Sequence, residues 1–259
     1  MNKIVVITGG TSGIGAELVK LYTANGDTVC ALSKGADQTK PNHFTCDVTS
    51  PMQVKFAIDS IGQKFGRIDL LINCAGYGLA GAVELTKLED AKKQFNTNFF
   101  GTFLVDKYAI KYMPQNSTII NISSTCALFP LPYRAFYSAS KSAVDMLSQS
   151  LNMELAPCKI KVVSICPGDV KTNFSKNRVK NFDTNQRYGD SIKTSLQKVE
   201  GNQEKRMSVG YVAKKIVKIT RKKNPKPMYI IGNKYKVLYF LSKIFPRKML
   251  LFFTKKLYR

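Results

Sequence analysis

Residues 1–18 read MNKIVVITGGTSGIGAEL, an apolar run that passes through three spaced glycines into a helical pattern. Gly9, Gly13 and Gly15 follow the spacing G-x-x-x-G-x-G. A strand, a glycine turn and a helix start together let backbone N–H groups and the helix dipole face a phosphate. Gly9 would permit the tight turn, Gly13 the approach of a pyrophosphate, and Gly15 close helix–strand packing. Three glycines alone fit an ordinary turn as well as a dinucleotide site, so the rest of the chain must decide.

The rest of the chain alternates between apolar, β-rich runs and helix-compatible segments, a pattern that predicts a parallel sheet covered on both faces. Continuous apolar runs such as IVVIT and VVSIC indicate strands that are buried on both sides. We therefore expect an α/β fold, a single-domain Rossmann-like doubly wound parallel sheet of about seven strands with helices on both faces. The predicted strands are Ile4–Thr8, Thr28–Leu32, His43–Asp47, Leu70–Asn73, Ser117–Ile122, Ile160–Ile165 and Met228–Ile231, and the predicted helices include Ile14–Asn25, Met52–Phe65, Glu89–Met113 and Tyr137–Ala156.

Composition narrows the class of protein. Of the 259 residues 44% are hydrophobic, enough for a sizeable core, and the chain start lacks a signal-peptide layout, which favours a cytoplasmic location. No C-x-x-C pair occurs, and the lone His43 belongs to no metal-ligand cluster, so we expect no metal. The cysteines are expected mainly in the core; they are Cys30, Cys46, Cys74, Cys126, Cys158 and Cys166.

Five further motifs follow the glycine turn in a fixed order. They are Asn73-Cys74-Ala75-Gly76 after the fourth strand, Asn98 in NTNFFGTF, Ser124 at the end of IINISS, Tyr137 and Lys141 in Y-x-x-x-K, and Pro167-Gly168-Asp169-Val170-Lys171-Thr172 after the sixth strand. With Thr8 and the three glycines they resemble the short-chain dehydrogenase/reductase family over about residues 1–172, and more loosely to residue 231. The chain looks similar to the family's hydroxysteroid dehydrogenases and acyl-ketone reductases. Cys74 departs from the family's N-N-A-G.

The resemblance implies hydride transfer between a nicotinamide and a carbonyl or alcohol carbon, with Asn98, Ser124, Tyr137 and Lys141 as the catalytic set. Tyr137 and Lys141 are four residues apart and share one helix face, and a neighbouring ammonium lowers the pKa of a phenol towards the operating pH. Ser124 would polarise the substrate oxygen, with Ser123 as the fallback. Asn98 would hold a water beside Lys141.

The end of the second strand predicts which nicotinamide is used. Family members that prefer NAD place an acid there, whereas this chain has Ser33 followed by Lys34, which suit a 2′-phosphate. We therefore predict NADP(H) rather than NAD(H). The predicted cofactor-binding residues are Gly9, Thr11, Ser12, Gly13, Ile14, Gly15, Ser33, Lys34, Asp47, Val48, Asn73, Ala75, Gly76, Tyr137, Lys141, Pro167, Gly168, Val170 and Thr172.

Two apolar loops, after Gly76 and after Ser124, predict the substrate side. We expect Leu79, Leu128, Phe129 and Tyr133 to contact an apolar carbonyl or secondary alcohol, either steroid-, acyl- or lipid-like. The alternative is that these side chains only pack between helices or subunits. The polar segment 173–205 is interpreted as a substrate lid, with a plain surface insertion as the alternative.

The charge is strongly basic, with a net charge of +23 and no acid after Glu204. We divide the chain into a catalytic unit, residues 1–232, and a basic amphipathic C-terminal tail, residues 233–259, which Pro246 divides into two short helices. The tail either lies peripherally on an anionic membrane or packs over the substrate mouth or a second subunit. The resemblance implies a homodimer or homotetramer.

The alternative function is a non-catalytic nucleotide-fold module that binds membrane or nucleic acid through its basic surface. Nucleic acid is disfavoured because no recognised binding motif is present. An epimerase or dehydratase is disfavoured because those relatives use the spacing T-G-x-x-G-x-x-G.

Overall fold

Seven parallel strands form the central sheet of the computed structural model, which describes residues 2–37, 39–172, 174, 178–181, 183–201 and 206–258. From one edge to the other its strands are β11 (Met228–Ile231), β7 (Lys161–Pro167), β6 (Thr118–Ile122), β4 (Leu70–Asn73), β1 (Ile4–Thr8), β2 (Thr28–Ser33) and β3 (His43–Thr45), and each adjacent pair is parallel. The predicted doubly wound fold is therefore confirmed.

The continuous apolar strands divide their side chains between two cores. In β1, Ile4 and Val6 pack into one cluster with helices α2 (Pro51–Phe65) and α4 (Gly101–Ala109). Val5 and Ile7 pack into the other cluster with helices α1 (Gly13–Ala24) and α7 (Val209–Thr220). Successive strand residues point to opposite faces, so a strand that is covered on both sides needs apolar residues at every position.

The predicted helix 89–113 is interrupted. It consists of α3 (Leu88–Phe95), a π-helical turn (Asn96–Phe100), α4 and a short 3₁₀ turn (Ile110–Tyr112). A π-helical turn inserts an extra residue into the helical repeat and is frequent at functional sites. This turn carries Asn98, whose side chain is fully buried.

Strand order reverses between β1 and β4, and this reversal positions the site. From β1 the sheet grows through β2 to β3, and from β4 it grows the other way. The loops that leave β1 and β4 approach each other closely, since a Cβ at Gly9 would lie 3.0 Å from the Ala75 nitrogen. Such a switch point opens a crevice at the carboxyl ends of the strands, where ligands bind in open α/β sheets.

Short elements surround this crevice. β5 (Leu79–Ala80) pairs with β9 (Val179–Lys180), and β8 (Val170–Lys171) pairs with β10 (Met207–Ser208). The long helix α5 (Ala135–Glu154) carries the Y-x-x-x-K motif, and α6 (Ser191–Glu200) packs on the segment after β5.

The C-terminal tail forms the two predicted helices, α8 (Asn233–Ile244) and α9 (Arg247–Tyr258), on either side of Pro246. The first turn of α8 is fixed to the sheet by Tyr235, which packs where a Cβ at Gly168 would lie, and whose hydroxyl bonds to Asp169. None of the helices is long and apolar enough to span a membrane, as far as the described residues show.

Candidate active site

A cavity of about 580 Å³ lies at the carboxyl ends of the central strands. Most of the predicted cofactor residues line it, because β1, β2, β4, β6 and β7 all end there. Those residues are Gly9, Ser12, Gly13, Ile14, Gly15, Ser33, Lys34, Val48, Ala75, Gly76, Tyr137, Lys141, Pro167, Gly168, Val170 and Thr172. Thr11, Asp47 and Asn73 are not among its lining residues.

The glycine turn has the geometry of an anion cradle. Gly9 and Gly13 have φ of 67° and 53°, a region that glycine enters without steric cost. A Cβ at Gly15 would lie 2.3 Å from the Gly9 carbonyl oxygen, so glycine is required for this close packing. Ser12 caps helix α1 with extended backbone, its side chain forms no capping bond within the described residues, and the first turn holds no acid. The helix N-terminus therefore faces the cavity ready for a phosphate.

Ser33 and Lys34 mark the other side of this end of the cavity. The Ser33 hydroxyl is buried and has no hydrogen-bond partner within the described part of the chain. The Lys34 ammonium lies 2.9 Å from an Asp47 carboxylate oxygen and is mostly exposed. Asp47 therefore contacts Lys34 rather than the cavity. Burial acts to raise the pKa of Asp47, but hydrogen bonds from Thr49 and Lys34 outweigh it and hold the pKa below its usual value.

Ser124, Tyr137 and Lys141 meet at one wall of the cavity. Ser124 caps the 3₁₀ turn Thr125–Ala127, and its hydroxyl accepts from the Cys126 N–H at 3.1 Å and acts to lower the pKa of Tyr137. The buried Lys141 ammonium donates to the Ile122 carbonyl at 2.7 Å. Strand β6 and helix α5 thus bring residues 13 or more positions apart into one group.

Ser123, the fallback for Ser124, has a different partner. It lines the cavity, but its hydroxyl donates to the Lys141 backbone carbonyl at 2.9 Å and so ties β6 to α5. Of the two serines, Ser124 is the one whose hydroxyl acts on the pKa of Tyr137.

Burial sets the protonation of the Tyr137 and Lys141 side chains. It raises the pKa of Tyr137 above its ordinary value, and a hydrogen bond from Ser124 and the charges of Arg134 and Arg178 act against this. Burial also lowers the pKa of Lys141 from 10.5 to about 8. The pKa of Tyr137 is therefore raised, and the lowering expected from Lys141 is not observed. Lys141 is not among the groups that act on this pKa, and its ammonium is directed to the Ile122 carbonyl.

Asn98 lies beside Lys141 without lining the cavity. Its amide accepts from the Tyr77 N–H and donates to the Tyr77 carbonyl and to Ser140, each at 3.1 Å. A Cβ at Gly76 would lie 2.9 Å from the Asn98 oxygen and 3.5 Å from the Lys141 ammonium. The amide therefore holds the loop after β4, and its predicted water-holding role stays a prediction.

Asn73 belongs to a buried polar network instead of the cavity wall. Its amide donates to Asp106 at 2.7 Å and to Asn121 at 2.9 Å. The Asn121 amide donates to the second Asp106 oxygen at 2.9 Å. Burial raises the pKa of Asp106 from 3.8 to about 7. The network fixes the ends of β4 and β6, so we infer that Asn73 positions the cavity wall without facing it.

The substrate side differs from the prediction, since none of the four predicted contacts lines the cavity. Leu79 is buried in the β5–β9 pair, and the Tyr133 hydroxyl bonds to Ser191 at 2.9 Å. Leu128 and Phe129 are half-buried after the 3₁₀ turn. Leu79 and Tyr133 therefore pack between elements, the alternative that the sequence had left open.

Other residues form that wall, and sequence reasoning missed them. They include Cys126, Arg134, Phe174, Arg178 and Arg206. Arg134 could have been noticed, because it precedes Tyr137 by three residues and such pairs are neighbours on a helix. Phe174 and Arg178 fall in the predicted lid 173–205, of which residues 173, 175–177, 182 and 202–205 lie outside the described residues. The Phe174 ring packs 5.7 Å from the Tyr137 ring.

Comparisons with known proteins show the family of this chain. A family model described as short chain dehydrogenase matches residues 3–183. The 3-ketodihydrosphingosine reductase of Bacteroides thetaiotaomicron is 36% identical over 247 residues, which cover 93% of this chain and 92% of the relative. A structure of ElxO with NADP bound is 31% identical, with a TM-score of 0.75, and covers 92% of this chain and 100% of that one.

A short-chain dehydrogenase from Streptomyces avermitilis is 25% identical with a TM-score of 0.84, and the match covers 94% of this chain and 93% of that one. The likeness thus extends along nearly the whole fold, and the range 3–183 that the family model matches spans the glycine turn, Ser124, Tyr137 and Lys141. The chain belongs to the short-chain dehydrogenase/reductase family and is an oxidoreductase of that family.

Proposed function

We propose that this chain is an NADP(H)-dependent oxidoreductase that interconverts a carbonyl and a secondary alcohol on an apolar, lipid-like substrate. One observation carries the proposal: Ser124, Tyr137 and Lys141 meet at one wall of the cavity that the glycine turn also lines. A non-catalytic module would need neither this convergence nor the buried Lys141.

The residues of the cavity fit a nicotinamide dinucleotide. The uncapped start of helix α1 suits the pyrophosphate, and the orphaned Ser33 hydroxyl with Lys34 suits a 2′-phosphate. Lys141 and Gly168 border the space for the nicotinamide half. When bound, the cofactor supplies or accepts a hydride.

The protein's own groups would handle the proton. In the reducing direction the Tyr137 hydroxyl donates a proton to the substrate oxygen, and in the oxidising direction the phenolate takes it back. Ser124 donates a hydrogen bond to the same oxygen and holds it beside Tyr137. The Lys141 ammonium stabilises the phenolate that this transfer leaves, and this stabilisation requires a shift from its present bond to Ile122.

The mechanism is tested by measuring consumption of reduced nicotinamide with a panel of ketones. We expect Tyr137→Phe to lower kcat by about 100-fold or more, because the acid–base group is lost while the ring remains. Tyr211→Phe is the matched control, since Tyr211 is exposed on α7 and is not among the residues that line the cavity. Undiminished turnover in Tyr137→Phe would refute the mechanism.

The preference for NADP(H) is tested at Lys34. In Lys34→Ala, the kcat/KM for NADPH divided by that for NADH should fall by about tenfold, because a charged contact to the 2′-phosphate is lost. Lys40→Ala is the control, because Lys40 is also exposed and pairs with Asp37 at 3.6 Å. Wild-type protein that used NADH as efficiently as NADPH would overturn this part of the proposal.

The preference for an apolar substrate rests on two observations. The Phe174 ring lies beside Tyr137 at the reacting end of the cavity, and the relative from Bacteroides thetaiotaomicron carries the name of a ketodihydrosphingosine reductase. We expect kcat/KM to rise with the alkyl length of the ketone. Faster turnover of small polar ketones than of every apolar one would contradict it.

We further propose that residues 1–232 form the catalytic unit of a cytoplasmic enzyme and that residues 233–259 attach it to an anionic membrane. Most of α8 and α9 beyond Tyr235 exposes large apolar side chains among lysines, with no acid in the segment. Such surfaces bind anionic lipid interfaces. The exposed apolar residues are Val237, Leu238, Phe240, Ile244, Phe245, Leu251 and Phe252.

Co-sedimentation with vesicles tests the attachment. Replacement of Leu238 and Phe240 by Ser should lower the fraction bound to phosphatidylglycerol vesicles, whereas Phe56→Ser, an exposed Phe on α2, should not. Point variants are preferable to truncation because Tyr235 packs against the sheet. Equal binding of all variants would contradict the membrane proposal and favour packing of residues 233–259 on a second copy of the chain.

The oligomer is proposed separately, on helices α4 and α5. Phe103, Met146 and Met153 are 38%, 65% and 69% exposed there, an apolar surface that a second copy could cover. We expect a homodimer or homotetramer by sedimentation equilibrium, and a smaller species in Met146→Asp. A monomeric wild type would contradict the assignment.

A further inference from the structure

Arg134 is a buried cation in the wall of the active-site cavity. Arg134 is only 6% exposed and is the N-cap residue of helix α5. Its Nε and Nη2 atoms are buried and have no hydrogen-bond partner among the described residues. Burial of a guanidinium without partners is strongly unfavourable, so such a group calls for a ligand.

The two orphaned nitrogens define what that ligand is. Nε and Nη2 lie on one edge of the planar guanidinium and present two parallel N–H donors. This edge matches the paired oxygens of a carboxylate or phosphate, the bidentate geometry for which arginine is preferred over lysine. A neutral hydroxyl or carbonyl would satisfy one donor and leave the other buried.

At this wall the described part of the chain offers Arg134 no anion. Asp169 is the one carboxylate among the described lining residues, and it bonds to Tyr235 and lies 3.5 Å from the Lys234 ammonium. Arg178 and Arg206 line the same cavity, and both have interactions of their own. The wall is therefore strongly positive, which favours an anionic ligand.

The position of Arg134 places the anion close to the reacting carbon. Arg134 lies three residues before Tyr137, a rise of about 4.5 Å along a helix, and its charge acts on the Tyr137 hydroxyl. The phosphate cradle at Gly9–Gly15 and the Ser33–Lys34 pair already provide for the anionic groups of a dinucleotide, which leaves Arg134 to the substrate.

We propose that Arg134 binds a carboxylate or phosphate of the substrate, so that the substrate is a lipid-like ketone or alcohol with an anionic group a few bonds from the reacting carbon. This inference rests on the proposed function and specifies its substrate class. Phe174 provides the apolar contact beside Tyr137, and Arg134 fixes the end of the substrate that carries the charge.

The test compares three ketones of equal alkyl length: one neutral, one with a carboxylate near the carbonyl, and one with a phosphate ester there. For the wild type we expect kcat/KM to be about tenfold or more higher for an anionic ketone than for the neutral one. Arg134→Gln should collapse that ratio towards one, and Arg134→Lys should restore it in part. The preferred anion identifies carboxylate or phosphate as the source.

Arg187→Gln is the matched control, because Arg187 is 73% exposed and pairs with Glu84 at 3.0 Å. It should leave the anionic-to-neutral ratio unchanged. A wild type that prefers the neutral ketone, or an Arg134→Gln variant that loses the same factor on all three substrates, would overturn the proposal.

A binding measurement keeps this result separate from failure of the proposed reaction and from misfolding. Medium-chain alkyl carboxylate and alkyl phosphate should raise the melting temperature of the NADPH-loaded wild type more than the alkyl alcohol does. If no ketone is turned over, the proposed function fails, while this shift still tests the anion site. If Arg134→Gln does not fold, an absent shift in the wild type refutes the site and a present one supports it.

Discussion

Replacement of Lys141 by Met should stabilise the cofactor-free protein at neutral pH while removing its activity. Lys141 is 5% exposed, and burial lowers its pKa from 10.5 to about 8. The folded protein therefore carries a buried ammonium at neutral pH that an unfolded chain would solvate. Met has a similar length and no charge, so it removes this cost together with the group that we propose stabilises the Tyr137 phenolate.

The magnitude follows from the two pKa values. One pKa unit corresponds to about 1.4 kcal/mol, so the ammonium costs the folded state about 3.4 kcal/mol below about pH 8. Loss of the hydrogen bond to the Ile122 carbonyl, a charged donor, offsets about 1.5–3 kcal/mol of that gain. The net increase in unfolding free energy at neutral pH is then about 0.5–2 kcal/mol.

The pH dependence is the sharper test, because the lost hydrogen bond to the Ile122 carbonyl does not affect the direction in which the stability difference between variant and wild type changes with pH. Between about pH 8 and about pH 10.5 the folded lysine is neutral while the unfolded one is still charged, so wild-type stability rises with pH relative to the variant. Between about pH 7 and about pH 9, the gap in unfolding free energy between Lys141→Met and the wild type should change by about 1.3 kcal/mol in favour of the wild type.

Urea unfolding of cofactor-free protein at these two pH values measures the gap. Lys20→Met, at an exposed position on α1, is the control and should differ from the wild type equally at both. A gap between Lys141→Met and the wild type that did not change with pH would refute the reasoning, as would full activity in the variant.

Three further predictions concern the scaffold of the site. Gly15→Ala should lower the unfolding free energy, measured with urea, by about 1–3 kcal/mol, because its Cβ would lie 2.3 Å from the Gly9 carbonyl oxygen. Gly35→Ala, with open space around it, should lower it by less than about 0.5 kcal/mol, and equal losses in the two variants would contradict this. Tyr235→Phe should lower stability by about 1 kcal/mol, seen as a lower melting temperature, through the lost bonds to Asp169; an unchanged melting temperature would show that they contribute nothing. Burial raises the pKa of Asp106 from 3.8 to about 7. As pH rises through that range, the unfolding free energy of the wild type should therefore fall by up to about 4 kcal/mol relative to that of Asp106→Asn, and parallel stability–pH curves for the two proteins would contradict this.

The arrangement of the sheet was predictable because local sequence carries it. A strand covered on both faces must be apolar at every position, so IVVIT and VVSIC can be predicted as buried strands from their own residues alone. The motif residues then had to meet, since parallel strands deliver their carboxyl ends to one edge. The glycine turn, Ser124 and Lys141 accordingly reach the same cavity from β1, β6 and α5.

The interruption of the helix at Asn96–Phe100 could not be predicted in this way. Its apolar spacing reads as one helix, and the π-helical turn results from contacts made by buried Asn98 with Tyr77 and Ser140, 21 and 42 residues away. Such contacts exist only after the loop beyond β4 and helix α5 have packed together.

The sequence by itself determined the fold, the phosphate cradle and the Ser124, Tyr137 and Lys141 group, because periodicity and short motifs are local signals. Only the tertiary structure decided which other side chains line the cavity. Tyr133 turns towards Ser191, 58 residues away, and so leaves the cavity, while Arg134 beside it is buried in the cavity wall. The direction in which a loop side chain points depends on the partners that distant segments offer, and an apolar run does not encode those partners.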